Sequence, residues 1–457
     1  VGAAETALAE LVANGDRVWS ARAGQLAEAA IADTLAVGLA GLSEPQVGIA
    51  RATLLTSAQP DAVPTWSPAE RYPVSDAAFL LGVACHSLDW DDYMHPMHGH
   101  CSAVLLPVAW LLTEQRDGSG ADLTDAYLTG YQANYLVSQA LGHAHYRHGW
   151  HATSTVGTIG AAAAAARLLG LDQQQAGHAL AIAASSAGGI RANFGTSTKA
   201  LHAGFAARNG VQAAQLARAG AEGSADWLLG EHGMQPAFSG DRAGDDAARA
   251  ILAATEGSHG IETEWGLVQK PYCCCGSCHA AVEALIAVVE RHDLAGSEID
   301  RIDLHVDPIV PAIMQVSLPH DQYSARYSPT WVMAVAATDR AAGPDQFSMA
   351  ALGRGEVHRL RERVRVHVDL ITSDDDRFAG RVEVHARGQR FIQELRHASG
   401  HPRRPFDDGM AGMKQRVALG IATSAAHVTG LEVALADLAT MPRLRALGDQ
   451  LRRLPAR

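Results

Sequence analysis

The chain predicts a mainly α-helical protein with a smaller α+β part. Three observations predict it: helical spacing of apolar residues up to about residue 265, two-residue alternation between about 266 and 405, and helical spacing again to the end. In the first stretch AETALAELVA, QLAEAAIADTLAVGLAGL, AAFLLGVACHSLDW, LTDAYLTGYQANYLVSQAL, TIGAAAAAARLLGL, QQAGHALAIAASSAGG and AGFAARNGVQAAQLARAGA each carry an apolar stripe, separated by Gly, Pro, Asp and Ser. Then the period shortens. Ile302, Leu304 and Val306 alternate with Asp303, His305 and Asp307, and Val364, Val366, Val368 and Leu370 alternate likewise, as do Val382 and Val384. With helices near 278–292 and 328–341, these half-buried strands predict an α+β unit with an antiparallel or mixed sheet. MKQRVALGIATSAAHV and LEVALADLATMPRLRALGDQLRRL restore the helical period. The expected organisation is a helical domain built from residues 1–265 and 406–457, with an α+β domain, 266–405, inserted between them. SPAERYPVSD and GEHGMQPAFSGDRAGDD read as loops.

Composition bounds the function. At 457 residues the chain exceeds the size at which one core keeps growing, so two domains are expected. Hydrophobic residues make up 47%, ample for a core, and 5% aromatics with abundant alanine point to closely packed helices. The net charge of −12 and the lack of a basic stripe with interleaved aromatics exclude nucleic acid as the expected partner. No run reaches the about 18 apolar residues of a membrane span; the alanine run 161–166 is closed by Arg167. The N-terminus shows no basic segment followed by an apolar one, so the expected location is cytoplasmic. Four of the six cysteines crowd into Cys273–Cys278, poor geometry for disulfides, and reduced thiols are expected. Cys275 and Cys278 form one C-x2-C pair without a second matched pair, and an iron–sulfur cluster would need Cys85 or Cys101 in range, so no metal is expected.

Residues 86–101, HSLDWDDYMHPMHGHC, place four histidines and three aspartates directly behind an apolar helical run. Titratable groups cost several kcal/mol to bury unpaired, so such crowding beside a hydrophobic segment favours a site over a solvated loop. Three further segments share a Gly-rich, charge-poor setting. In GHAHYRHGWHATSTVGTIG, His151 abuts a helix start rich in small hydroxyl residues, where free N–H groups and the helix dipole favour a carboxylate. In GGIRANFGTSTKALHAGFAARNG, Lys199 stands alone among uncharged neighbours, suited to clamp a carboxylate or, with burial, to move protons. KPYCCCGSCHAAVEAL sets Lys270 and His279 around a thiol-rich turn, and in QYSARYSPTW Arg326 could meet a second carboxylate.

The runs HSLDWDD…GHCSAVLLP, GWHATSTVGTIGAAAAAARLLGLD, NFGTSTKALHAGFAARNG and KPYCCCGSCHAA, in this order, resemble the MmgE/PrpD family, over nearly the whole chain. That family includes 2-methylcitrate dehydratase, cis-aconitate decarboxylase and iminodisuccinate epimerase. The resemblance implies a homodimer, each subunit a large helical domain with a smaller α+β lid, a site in the cleft between them, a small carboxylate substrate and no metal or organic cofactor. It implies as site residues Asp89, His100, His151, Lys199, Lys270 and His279.

Departures bear on the reaction. Cys101 follows His100 where the family often has proline, and the Asp89 to His100 spacing, the GW before His151 and the NFGT before Lys199 resemble the epimerase. Trp331 stands where many members place a tyrosine, and Cys275 where decarboxylase members have a histidine; both weigh against decarboxylation. All three family reactions break a bond to a carbon next to a carboxylate and need the resulting negative charge held by cations. The reading is a cofactor-independent lyase on a di- or tricarboxylate, dehydration foremost. His151 and His100 are its acid–base pair, Asp89 an orienter or acid–base partner, and Lys199 and Lys270 hold the charge. The alternatives are an epimerase of an imino- or amino-dicarboxylate, then a decarboxylase or a non-catalytic dicarboxylate-binding homologue.

Overall fold

Small residues decide how the central helices meet. Thr198–Arg218 lies between Val74–Ser87 and Ala152–Leu168. A Cβ on Gly204 would stand 2.6 Å from the Phe79 carbonyl oxygen, and one on Gly210 would stand 2.3 Å from Ala161 Cβ. No side chain separates these backbones, and overpacking such a contact costs about 1–3 kcal/mol or more. Ala161 to Ala166 are all fully buried, so the alanine run is core. This packing delivers the start of Thr198–Arg218 to the end of Val74–Ser87.

The computed structural model describes residues 2–57, 61–67, 70–240, 251, 259–373 and 376–454. It is mainly helical, with small sheets and an α+β part in the second half of the chain. Ala21–Gly41 packs on Val74–Ser87, and Gly120–Arg147 on Ala152–Leu168. Ser119 and Asp122 form a capping box at the start of Gly120–Arg147, and Gly142 (φ 58°, ψ −171°) breaks it near its end. Asp408–Ala422 lies on Ala21–Gly41, fixed by buried Lys414, whose Nζ is 2.7 Å from Asp33 Oδ2 and 2.8 Å from the Trp90 carbonyl. Further on, the Leu444 amide donates to the Gly118 carbonyl at 2.8 Å and Arg452 pairs with Glu114. The last helices thus pack against the first half of the chain.

The main sheet has the strand order Val364–His367, Ile299–Val306, Gly380–Ala386, Gln389–Leu395. The first pair is parallel and the other two antiparallel. Ile302, Leu304, Val306, Val382, Val384 and Ala386 are fully buried, and the helix His279–Arg291 packs on the sheet. The sheet is therefore mixed.

Some elements differ from expectation. The strand at 364 ends at His367, leaving Val368 exposed. Ser102–Gln115 is a helix with Pro107 inside it, apolar on nearly every side and so without a readable period. Gln389–Leu395 is an added edge strand whose burial alternates only weakly. The stretch read as the loop GEHGMQPAFSGDRAGDD holds a short helix, Met234–Ser239, and its residues 241–246 lie outside the described residues. SPAERYPVSD includes the two-residue strand Arg71–Tyr72 and the start of Val74–Ser87. All six cysteines are buried and free. Among the described residues no single helix is long and apolar enough to cross a membrane.

Candidate active site

The ends of the central helices open onto one cavity. Asp89 and His100 come from the turn after Val74–Ser87, His151 from the N-cap of Ala152–Leu168, and Lys199 from the first turn of Thr198–Arg218. Tyr93, His98, Tyr146 and Phe194 complete this wall; Cys275, Ser277, Ile313, Tyr327 and Phe378, from the second half of the chain, close the space against it, with Tyr327 bonded to Asp89. The cavity volume is ≈ 50 Å³, room for roughly four waters. Gly99 lets the turn lie against the helix start, since a Cβ there would be 2.8 Å from the Thr153 amide nitrogen. The His100 amide donates to Thr153 Oγ1 at 2.9 Å.

Asp89 anchors the charge. It sits in the left-handed region at φ 50°, an uncommon conformation for a non-glycine residue and one found at functional sites. Its Oδ1 lies 3.0 Å from both Lys199 Nζ and Lys270 Nζ, and Lys270 also donates to the Asp89 carbonyl. Burial alone would raise the Asp89 carboxyl, but the two ammonium groups hold it well below the usual carboxylate range. Lys270, wholly buried, lies behind Asp89 and does not line the cavity; burial works against its charge, yet Asp89 and Asp91 raise it. Lys199 borders the cavity, and burial lowers its ammonium below the ordinary lysine value while Asp89 opposes that fall.

The imidazoles form a chain around Asp91. Lys199 Nζ donates to His86 Nε2 at 2.7 Å, and His86 Nδ1 lies 2.9 Å from Asp91 Oδ2. An ammonium can only donate, so His86 carries its proton on Nδ1 and points it at Asp91. His100 Nδ1 approaches Asp91 Oδ2 at 3.0 Å, and its Nε2 lies 3.7 Å from Asp89 Oδ1. Burial, partly offset by Asp91, drives His86 down to about 3 and lowers His100. His151 Nδ1 is 2.8 Å from His202 Nδ1. Burial first, then His202 and Lys199, hold His151 well below the ordinary histidine value, so it is neutral at pH 7. Two neutral imidazoles joined Nδ1 to Nδ1 share one proton: the ring that donates leaves its own Nε2 an acceptor, and the ring that accepts carries a proton there.

Besides Lys270, two expected site residues lie apart from this cavity. Arg326 donates to the Ser87 carbonyl at 2.8 Å and lies 3.5 Å from Glu44, tying down the helix end that leads to Asp89. His279 donates through Nε2 to the Cys274 carbonyl at 3.0 Å and borders a neighbouring cavity. Trp331 is fully buried, its indole directed at the Gln346 carbonyl. Sequence reasoning passed over His86 and Asp91, although both lie in the stretch it singled out, and took Arg326 rather than Tyr327, the neighbour that faces the cavity. His145, in the histidine-rich run before His151, is buried and bonded to Thr155 Oγ1 at 2.9 Å.

His86, Asp89, Asp91 and His100 hold donor atoms within 4.8 Å of one another, a spacing that suits a metal ion. Lys199 already takes the His86 Nε2 lone pair, and two ammonium groups flank Asp89. A divalent cation would have to displace them, so these donors fit lysine-supplied charge better than a metal.

Sequence models of the MmgE/PrpD N-terminal and C-terminal domains match residues 7–262 and 272–434. The chain belongs to the MmgE/PrpD family. It is 30% identical to the Homo sapiens cis-aconitate decarboxylase over 349 residues, 74% of this chain and 70% of that protein. The Mus musculus cis-aconitate decarboxylase is also 30% identical, over 350 residues and the same shares. A cis-aconitate decarboxylase of Aspergillus terreus (strain NIH 2624 / FGSC A1156) is 28% identical over 223 residues, 47% of this chain and 46% of that protein.

Proposed function

We propose that this protein is a cofactor-independent lyase acting on a small tricarboxylate, by removing a proton or a carboxylate next to a carboxylate-bearing carbon. The observation that carries the reading is the convergence of Asp89, His100, His151 and Lys199 on one cavity, with a neutral His151 beside a lysine ammonium. In dehydration, His151 Nε2 takes the proton from the carbon next to a carboxylate. The electron pair left behind spreads into that carboxylate and is stabilised by Lys199. Expulsion of the neighbouring hydroxyl, protonated by His100 in its imidazolium form with Asp91 at its Nδ1, gives an alkene and water and leaves His100 neutral. Asp89 positions Lys199, and Lys270 keeps Asp89 ionised.

Decarboxylation is the second reading, favoured by the names of the relatives. There the bond to carbon dioxide breaks, Lys199 stabilises the same charge, and an imidazole returns a proton to carbon. Cys275, which lines the cavity where the decarboxylases it resembles have a histidine, weighs against it. The test is NMR of citrate, 2-methylcitrate and cis-aconitate incubated with the protein in deuterated water. New alkene signals with the carbon count kept support dehydration, and loss of one carboxyl carbon supports decarboxylation. Deuterium at a retained stereocentre of an amino- or imino-dicarboxylate would assign an epimerase instead. No change with any acid, alongside a raised melting temperature, would overturn catalysis and leave a binding protein.

A further inference from the structure

One buried ring that takes no part in the proposed reaction joins the groups that do. His86 stands in the last turn of Val74–Ser87, its side chain wholly buried, and it does not line the cavity. Two bonds pin the helix end beside it: Arg326 donates to the Ser87 carbonyl at 2.8 Å, and Gln46 Nε2 donates to the same oxygen at 3.2 Å. From there the ring meets Lys199 Nζ at 2.7 Å and Asp91 Oδ2 at 2.9 Å. The rings of His100 and His151 lie against it as well, with centroids 4.4 Å and 6.0 Å away.

Each of these bonds has a direction. Lys199 has three N–H donors; one goes to His86 Nε2 and one to Asp89 Oδ1 at 3.0 Å, which leaves the third for a ligand in the cavity that Lys199 borders. At the other edge of the ring, the Nδ1–H is spent on Asp91. Burial would raise that carboxyl, but His86 and His100, both directed at it, hold it well below the usual carboxylate range. An ionised carboxylate only accepts, so His100 also turns an N–H toward it, from Nδ1, 3.0 Å from Asp91 Oδ2. The nitrogen left to give a proton to a substrate is then His100 Nε2. The order Lys199, His86, Asp91, His100 thus runs behind the cavity wall from the group that holds charge to the acid. His86 carries no proton along it: burial, opposed by Asp91, holds the ring at about 3, so it stays neutral. A neutral ring with one donor and one acceptor supplies placement.

We propose that His86 is a positioning residue, which aims the Lys199 ammonium into the cavity and, through Asp91, fixes His100 Nε2 toward the same space. This rests on the roles that Lys199 and His100 have in the lyase reading.

Paired substitutions test it. His86→Leu removes both hydrogen bonds, whereas the amide of His86→Gln offers an oxygen to Lys199 and an N–H to Asp91 but cannot relay a proton. With Lys199 and His100 misplaced, His86→Leu should lower kcat by about 10- to 10²-fold. The alkaline limb of its kcat/KM should also move to lower pH, because an acceptor that stabilises the Lys199 ammonium is gone. His86→Gln should restore most of both. An alkaline limb that stays in place in His86→Leu would overturn the proposal, since a role in folding alone lowers the melting temperature without moving the limb. So would a folded His86→Gln protein that loses as much turnover as His151→Ala, whether or not His86→Leu folds. A second measurement needs no turnover. In protein labelled with nitrogen-15 histidine, the His86 signals, assigned by their loss in His86→Gln, should show the proton on Nδ1 alone and stay unchanged from pH 7 to pH 5. A proton on Nε2, or titration near the ordinary histidine value of about 6.5, would overturn the positioning role whatever the protein turns over. If the Nδ1–H signature appears and no acid is turned over, the lyase reading fails and the placement of Lys199 by His86 stands.

Discussion

The two walls of the reaction cavity are built differently. One comes from the turn 86–101 and the starts of two central helices, and it carries the carboxylate, the lysine and the imidazoles that line the space: Asp89, Lys199, His98, His100 and His151. The other comes from the second half of the chain and presents a thiol, a hydroxyl, a phenol and apolar side chains. The helix wall is held by backbones in direct contact at Gly204 and Gly210, so its groups are fixed before any substrate arrives. That rigidity suits a site whose work is to hold charge in place. The neutral wall touches that charge through Tyr327, which bonds to Asp89. On the proposed function, chemistry falls to the first wall and selection among substrates to the second.

If this division holds, substitutions on the helix wall have the largest effects. His151→Ala removes the group that takes or returns the proton and should lower kcat about 10²- to 10⁴-fold. Lys199→Ala removes the cation that holds the developing charge and should lower it about 10²- to 10³-fold. Both proteins should stay folded by circular dichroism. Wild-type turnover in both would place the chemistry elsewhere.

The depressed imidazoles make a prediction about pH. His151 lies well below the ordinary histidine value of 6.5, so its neutral form survives as the pH falls through 6.5. The acid limb of kcat/KM should then lie below pH 6.5, and the alkaline limb below 10.5, because burial lowers Lys199. Stability should behave differently. Burial holds His86, His279 and His401 at about 3, and His95, His145 and His202 at about 4. Unfolded, these rings bind protons near pH 6.5. Between about 6.5 and 4 the unfolded chain therefore holds more protons, and stability falls with pH, by up to ~1.4 kcal/mol per pH unit for each ring. Urea midpoints at pH 7 and pH 5 measure this, and equal midpoints would mean that the rings are solvated.

The same contrast explains what could be read from sequence. Helices with one apolar face, such as Ala21–Gly41, are legible from spacing. Ser102–Gln115 is not, because full burial erases the polar face that marks a period. In the site, a charge isolated in a Gly-rich run marks Lys199, and a helix start rich in small hydroxyl residues marks the adjoining His151. Arg326 and Tyr327 are adjacent yet point apart, one to the Ser87 carbonyl and one to the cavity, and spacing along a chain cannot tell which way a loop residue faces.

On the neutral wall, effects should be smaller and fall on selectivity. Burial pushes the Cys275 thiol up to about 11, so it is protonated and takes no part as an anion. Cys275→Ser keeps a small hydrogen-bonding group beside Ser277, 3.2 Å away. It should change kcat less than tenfold, while shifting the ratio of kcat/KM between two acids of different length. A loss as large as that of His151→Ala would mean that the second wall also does chemistry.

The smallest effect tests where the helix wall ends. From sequence, His143 reads as a surface residue whose removal is nearly neutral. In the structure it is half-buried and its Nδ1 lies 2.8 Å from Nε2 of His98, a cavity residue in the left-handed region at φ 51°. His143→Ala removes that partner from a buried ring, at about 1 kcal/mol, the low end for a lost hydrogen bond because the opened space can admit water. In a chain of this length that lowers the melting temperature by roughly 2 °C or less. Turnover should fall a few-fold, since His98 borders the cavity without holding the proton or the charge. If the melting temperature and kcat both match the unaltered protein, His98 needs no support, and the ordered wall stops at His100. If kcat falls as far as in His151→Ala, His98 belongs with the proton-carrying imidazoles, and that wall extends one residue pair further than its charges show.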